Sequence, residues 1–137
     1  MATTAKVVNT GLALITALMK GTGDEPLYLQ WGTDTGAVLP LAVTNTALGT
    51  ARNEARSLGV SSQQETVVAN DTYQVIAALT AAGTPVSVTE IGLFDGAGSG
   101  TPATGANMYM RSLFSALALD VGDSIQFTIK TQLVDNS

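Results

Sequence analysis

The sequence contains no cysteine and no histidine. Without thiolates or imidazoles there is no disulfide, no Cys or His nucleophile or base, and none of the usual zinc or copper ligand sets. The serines lack a histidine partner and no Ser-x-x-Lys arrangement occurs, so nucleophilic catalysis has no base to draw on. Aromatic residues are few: one Trp, three Tyr and three Phe must serve both the core and any stacking platform. Charged residues make up only 12% of the chain, about half the usual share. The polar surface must therefore come from Thr, Ser, Asn and Gln, as it does in β-proteins. The apolar run Gly11 to Met19 is too short to span a bilayer, and no small-residue cleavage signal follows it. The chain reads as soluble and unprocessed, with no membrane partner.

What is present suits a single domain spanning residues 1–137, a length that buries one core but not two. Eleven acidic residues against six basic ones give a net charge of -5. The basic residues Lys6, Lys20, Arg52, Arg56, Arg111 and Lys130 are scattered. A phosphate backbone would be repelled, which argues against direct nucleic-acid binding.

Apolar residues at Val8, Leu12, Ile15 and Met19 fall on one stripe of a helix expected over Val7 to Met19, with Lys20-Gly21 as its stop. The opposite face carries Asn9, Thr10 and Thr16 rather than Lys and Arg, so packing on its own domain is expected rather than lying on lipid. Leu27, Leu29 and Trp31 then alternate with Tyr28 and Gln30 as a half-buried strand with Trp31 in the core. Gly32 to Thr50, rich in Thr, Gly and Asn around Leu39-Pro40-Leu41, predicts a long irregular connection and a candidate contact surface.

Val60 to Ala69 and Thr72 to Ala82 read as strands joined at Asn70-Asp71, with Tyr73, Val75, Ala77 and Leu79 sharing one face. Gly83-Thr84-Pro85 breaks the chain before a strand over Val86 to Asp95, and Asn107 to Arg111 reads as the next. The clearest strand runs from Ser124 to Leu133. Ile125, Phe127, Ile129 and Leu133 face one side and Gln126, Thr128, Lys130 and Gln132 the other.

Gly96-Ala97-Gly98-Ser99-Gly100 has the glycine density of a phosphate loop. Such a loop opens a helix whose N-terminus meets the phosphates, whereas here a strand follows, so the segment is expected to close a hairpin. Folding that hairpin about its loop brings Glu90 near Arg111, and because Glu90 is in phase with Val86 and Val88 its carboxylate needs a buried partner. An ion pair between the two is the expectation. Asp120 and Asp123 lack the oxygen-rich ligand series of a calcium loop, and Asn70-Asp71-Thr72 matches a glycosylation sequon without a secretory signal. No catalytic, cofactor-binding or metal-binding residue is assigned.

One helix and a series of antiparallel strands point to an all-β fold: an antiparallel, jelly-roll-like β-sandwich with a short N-terminal helix. The segments Arg52-Asn53-Glu54-Ala55-Arg56, Asn70-Asp71-Thr72-Tyr73-Gln74-Val75, Thr89-Glu90-Ile91-Gly92-Leu93-Phe94-Asp95 and Gly122-Asp123-Ser124-Ile125-Gln126-Phe127-Thr128-Ile129-Lys130 resemble small virion proteins of tailed bacteriophages. The first and third together are similar to the proximal domain of tail-collar fibre proteins. The compact length and sandwich-like plan are similar to head cement, or decoration, proteins of short-tailed phages of the Bordetella type, which are jelly rolls on the capsid exterior.

The resemblance covers roughly Trp31 to the C-terminus. It implies a non-enzymatic structural protein on the outside of the capsid, in the virion, whose partners are the major capsid protein and further copies of itself as a homodimer or homotrimer. Candidate contact surfaces are the loop around Leu39 and Leu41, the helix stripe and an edge strand. A fibre continues into a shaft, whereas this chain ends at Ser137 soon after its last strand, which favours the cement reading. A tail-fibre base or collar adaptor is the alternative. A carbohydrate-binding module comes third, because jelly rolls host lectin sites but aromatic platforms are scarce here.

Overall fold

The structure is a computed structural model that describes residues 3–134. In chain order its elements are β1 (Thr3–Val7), α1 (Asn9–Lys20), β2 (Tyr28–Gly32), β3 (Ser57–Leu58), β4 (Val60–Gln64), β5 (Thr72–Thr80), β6 (Val86–Phe94), β7 (Met108–Leu119) and β8 (Ser124–Gln132). Five strands form one sheet in the order β1-β7-β6-β2-β3, and three form a second in the order β4-β5-β8. All strand pairs are antiparallel. The fold is all-β with one short helix.

Period-two alternation builds the core. Leu29 and Trp31 of β2, Val88, Ile91 and Leu93 of β6, Val75, Ala77 and Leu79 of β5 and Ile129 of β8 meet in one cluster drawn from both sheets. Full burial of a side chain such as Leu93 contributes about 1.5–3 kcal/mol. Trp31 lies in this core with no exposed surface, as expected. Tyr73 is half-buried at its margin, and its hydroxyl donates to the Pro26 carbonyl at 3.0 Å.

Strands β3 and β4 are nearly continuous, and the chain crosses from one sheet to the other at Gly59. A Cβ there would lie 2.7 Å from a Val75 methyl carbon and 3.0 Å from the Ile76 carbonyl oxygen, so only glycine permits the crossing.

The helix departs from expectation in its phase. It starts at Asn9, Val7 being the last residue of β1, and its buried residues are Gly11 and Leu14. Leu12 is 56% exposed and Met19 83% exposed, so of the expected stripe only Val8 is buried and Ile15 partly so. The cause is Gly11, where a Cβ would collide with the Tyr109 carbonyl. The closest approach of helix to sheet runs through a residue that no hydrophobic count registers. No side chain caps the helix N-terminus. Instead the Val8 N–H donates to the Tyr109 carbonyl at 3.1 Å and the Asn9 N–H to the Val43 carbonyl at 2.7 Å. Gly21, left-handed at φ 85, ends it as anticipated.

Strand ends also shift, most of all that of β7, which runs past Arg111 to Leu119. β4 stops at Gln64 rather than Ala69 because the Asp71 carboxylate takes hydrogen bonds from the backbone N–H groups of Thr66, Val67 and Val68, folding them into a loop. β8 stops at Gln132, leaving Leu133 exposed instead of in the core. No helix among the described residues is long and apolar enough to cross a membrane.

Candidate functional site

The register sets Gln30 opposite Gly92, Gly32 opposite Glu90 and Gly92 opposite Arg111. These residues alternate with Trp31, Ile91 and Leu93, so they occupy the face of the first sheet turned away from the core. Gln30, Glu90 and Arg111 are nevertheless buried. Residues 33–50 and 96–107 cover them, and Val8, Leu48, Phe94 and Met108 pack as a second small cluster.

The expected Glu90–Arg111 pair is present and forms the centre of this cover. Arg111 Nε and Nη2 donate to Glu90 Oε2 at 3.0 and 2.7 Å, although Arg111 lies opposite Gly92 and reaches Glu90 diagonally. Neither side chain has exposed surface. Arg111 also reaches a residue that the sequence did not reveal. Its Nη2 donates to Asp34 Oδ2 at 3.0 Å, while its Nη1 donates to the Leu39 carbonyl at 2.7 Å and to Asn45 Oδ1 at 3.1 Å. All five guanidinium N–H groups are thereby used.

One cation faces two buried carboxylates here, and backbone N–H groups supply the balance. Glu90 accepts from Gly49 at 3.0 Å and Thr50 at 2.8 Å, and Asp34 accepts from Gly36, Val38 and Leu39. Burial alone would raise the Asp34 carboxyl. The bonds from Val38, Leu39 and Gly36, together with the Arg111 charge, outweigh it and hold the group below the usual carboxylate range. The long connection is irregular, as expected, but it is clamped along its length. Asp34-Thr35-Gly36 is an Asx-turn sequence, the one local signal that could have marked Asp34.

The glycine-rich segment closes the β6–β7 hairpin, and no helix follows it. It is clamped in turn by Arg56. The Arg56 guanidinium donates to Gln30 Oε1 at 3.0 Å and to the Gly96 and Gly105 carbonyls at 3.0 and 2.9 Å, and it lies 3.6 Å from the centroid of the Phe94 ring. Gln30 extends the clamp by donating to the Ala103 carbonyl at 3.0 Å. Arg52 and Glu54 perform the same task at the β5–β6 turn. Glu54 accepts from the Trp31 indole, the Ala82 N–H and Arg52, and Arg52 donates to the Thr84 carbonyl.

Asp123 Oδ2 accepts from the Asp120 N–H at 3.0 Å, which closes an exposed turn upon itself. Among the described residues no group of three or more carboxylates could hold a metal. Asn70 is left-handed at φ 62 in the loop before β5, and the Thr72 hydroxyl of its sequon is buried and donates to Asp71.

The surface that results is unusual in its charge. Asp34 is the only charged residue in 33–50 and is buried; segment 96–107 contains none. Both loops therefore present an uncharged, pinned surface. Leu39 and Leu41 are half-buried, so the apolar contacts offered are Val38, 70% exposed, and Val43. On the other side, α1 and the second sheet enclose an open apolar hollow of about 240 Å³ lined by Ile15, Leu18, Met19, Tyr73, Tyr109 and Leu133, among others. Compared with known proteins, the chain matches no family model, no curated protein and no solved structure.

Proposed function

We propose that the protein is a structural, non-enzymatic virion protein, a cement or decoration protein on the outer surface of a tailed-phage capsid, built as a jelly-roll variant. One observation supports the reading beyond the sequence resemblance: a buried Glu90–Arg111–Asp34 network pins an 18-residue loop by hydrogen bonds and ion pairs, and that loop shows no charge to solvent. A surface fixed before contact loses little conformational entropy on docking. One without charge buries no unpaired ion. Both properties suit a protein that must sit on a lattice of capsid subunits.

The action is mechanical. An oligomer bridging neighbouring capsid subunits makes several weak contacts at once, and effective concentration lengthens its residence well beyond that of any one contact. Because binding favours the assembled shell over separated subunits, each bound copy stabilises the shell against the pressure of packaged DNA. The test is the copy number relative to the major capsid protein in heads separated from tails. A ratio near one, retained on tailless heads, supports the reading. Few copies, lost with the tail, would replace it with a fibre-base or collar adaptor.

A further inference from the structure

The second sheet ends in a long open strand. Among the described residues β8 has β5 as its only strand neighbour, and its nine residues make it the longest edge strand, against five in β1, two in β3 and five in β4. Its orientation follows from the hydrogen bonds at its two ends. The Asp123 carbonyl accepts from Ala81, and the Leu133 N–H donates to Asp71, so odd-numbered residues bond toward β5. The register between β5 and β8 is unbroken from Thr72–Gln132 to Thr80–Ser124. The backbone groups of Ser124, Gln126, Thr128, Lys130 and Gln132 therefore point away from the sheet. All but half-buried Gln132 are exposed. Of the devices that usually guard such an edge, proline, an inward charge, a bulge and charged side chains, β8 has only the single Lys130.

The charges on this edge select its occupant. β8 carries a single charged residue, Lys130, near its C-terminal end, and the turn before its N-terminal end carries Asp120 and Asp123. A second copy laid antiparallel about a two-fold axis brings each Lys130 beside the acidic turn of the other copy. A parallel copy would set lysine beside lysine.

The even-numbered residues must face one another for their free groups to pair, and centring the axis on Phe127 satisfies this. Gln126 then faces Thr128, Ser124 faces Lys130, and Ile125 faces Ile129. The two half-buried Phe127 side chains meet on the axis, beside the open mouth where Phe127 packs against Phe114 at 6.0 Å between centroids.

We infer that the protein forms a two-fold dimer by antiparallel β8–β8 pairing, joining two three-stranded sheets into one of six strands. The loops proposed to face the capsid lie on the other sheet, so self-association is measured on the purified protein and stands or falls apart from the capsid reading.

The experiment is light scattering on the full-length chain across a dilution series, with two variants. Thr128→Pro removes one outward N–H and no bond to β5, since proline is tolerated on the solvent side of an edge strand. The expected result is a monomer with near-wild-type circular dichroism. Lys130→Glu, which keeps the strand intact, is expected to weaken the dimer roughly tenfold at low salt, and Asp120→Lys in the same chain is expected to restore it. A wild-type chain that stays monomeric throughout the series would overturn the inference. So would a Thr128→Pro chain that remains dimeric, or a Lys130→Glu chain whose dimer is as strong as wild type.

Discussion

Replacing Arg111 with leucine removes the one cation from a site that contains two buried carboxylates. Glu90 and Asp34 are almost wholly inaccessible, and five donated hydrogen bonds disappear at once. Breaking a buried pair by deleting one partner costs about 3–5 kcal/mol, because the remaining charge is left uncompensated. Set against a total stability of about 5–15 kcal/mol, this is a large fraction. For 137 residues, at an unfolding entropy of about 2.1 cal/mol/K per residue, it corresponds to a fall in Tm of about 10–17 °C. Urea and thermal unfolding of both chains measure it.

The same experiment carries an internal control in pH. The wild-type Asp34 carboxyl is depressed, so its contribution is present above the unfolded carboxylate pKa and is lost as pH falls through the lower folded value. In the Arg111→Leu variant the buried Asp34 carboxylate loses its cation, and protonation relieves it. The gap between variant and wild type should therefore narrow from about pH 7 to about pH 4. A loss below about 1 kcal/mol at neutral pH, or a gap independent of pH, would refute the network as the element that holds the loop.

Three further substitutions test the clamps and the helix contact. Gly11→Ala improves helix propensity by about 1 kcal/mol but drives a methyl group into the Tyr109 carbonyl. Chemical denaturation should show a net loss of about 1–3 kcal/mol, and a stabilised variant would remove the close contact from the argument. Arg56→Leu strips the Gly96 and Gly105 carbonyls and Gln30 of their donor. It should cost about 2–3 kcal/mol and open residues 96–107 to protease while the sheets stay protected in hydrogen exchange; uniform cleavage along the chain would contradict a local clamp. Asp71 accepts five hydrogen bonds that, against the cost of burial, hold its carboxyl well below the ordinary range. Its stabilisation is present above about pH 4 and fades below it, so Asp71→Asn should flatten the acid limb of stability against pH, and superimposable limbs would count against the assignment.

What was legible in the sequence was what repeats locally. Alternation located β2, β5, β6 and β8, and because Glu90 and Arg111 lie on the two arms of one hairpin, counting from its loop was enough to bring them together. Asp34 was out of reach of that method. It lies 77 residues from Arg111, and no spacing rule connects a loop carboxylate to a strand guanidinium across such a separation. Gly11 escaped for another reason: hydrophobic periodicity scores side chains, and this contact depends on having none. The end of β4 falls short of expectation because Val67 and Val68 have strand propensity that three bonds to Asp71, from Thr66, Val67 and Val68, override.

The three arginines and three lysines divide cleanly, and the division explains how so little charge serves the fold. Arg52, Arg56 and Arg111 each clamp a different connection, while Lys6, Lys20 and Lys130 are exposed. Backbone carbonyls in irregular loops point in several directions, and a planar fork with five donors can serve several of them at once where an ammonium with three cannot. Each guanidinium also has a carboxylate or an aromatic face beside it: Glu54 for Arg52, Phe94 for Arg56, and Glu90 with Asp34 for Arg111. Two short segments, Arg52 to Arg56 and Thr89 to Asp95, supply Arg52, Glu54, Arg56, Glu90 and Phe94 to these clamps, and the remaining members, Arg111 and Asp34, come from β7 and from the long loop itself.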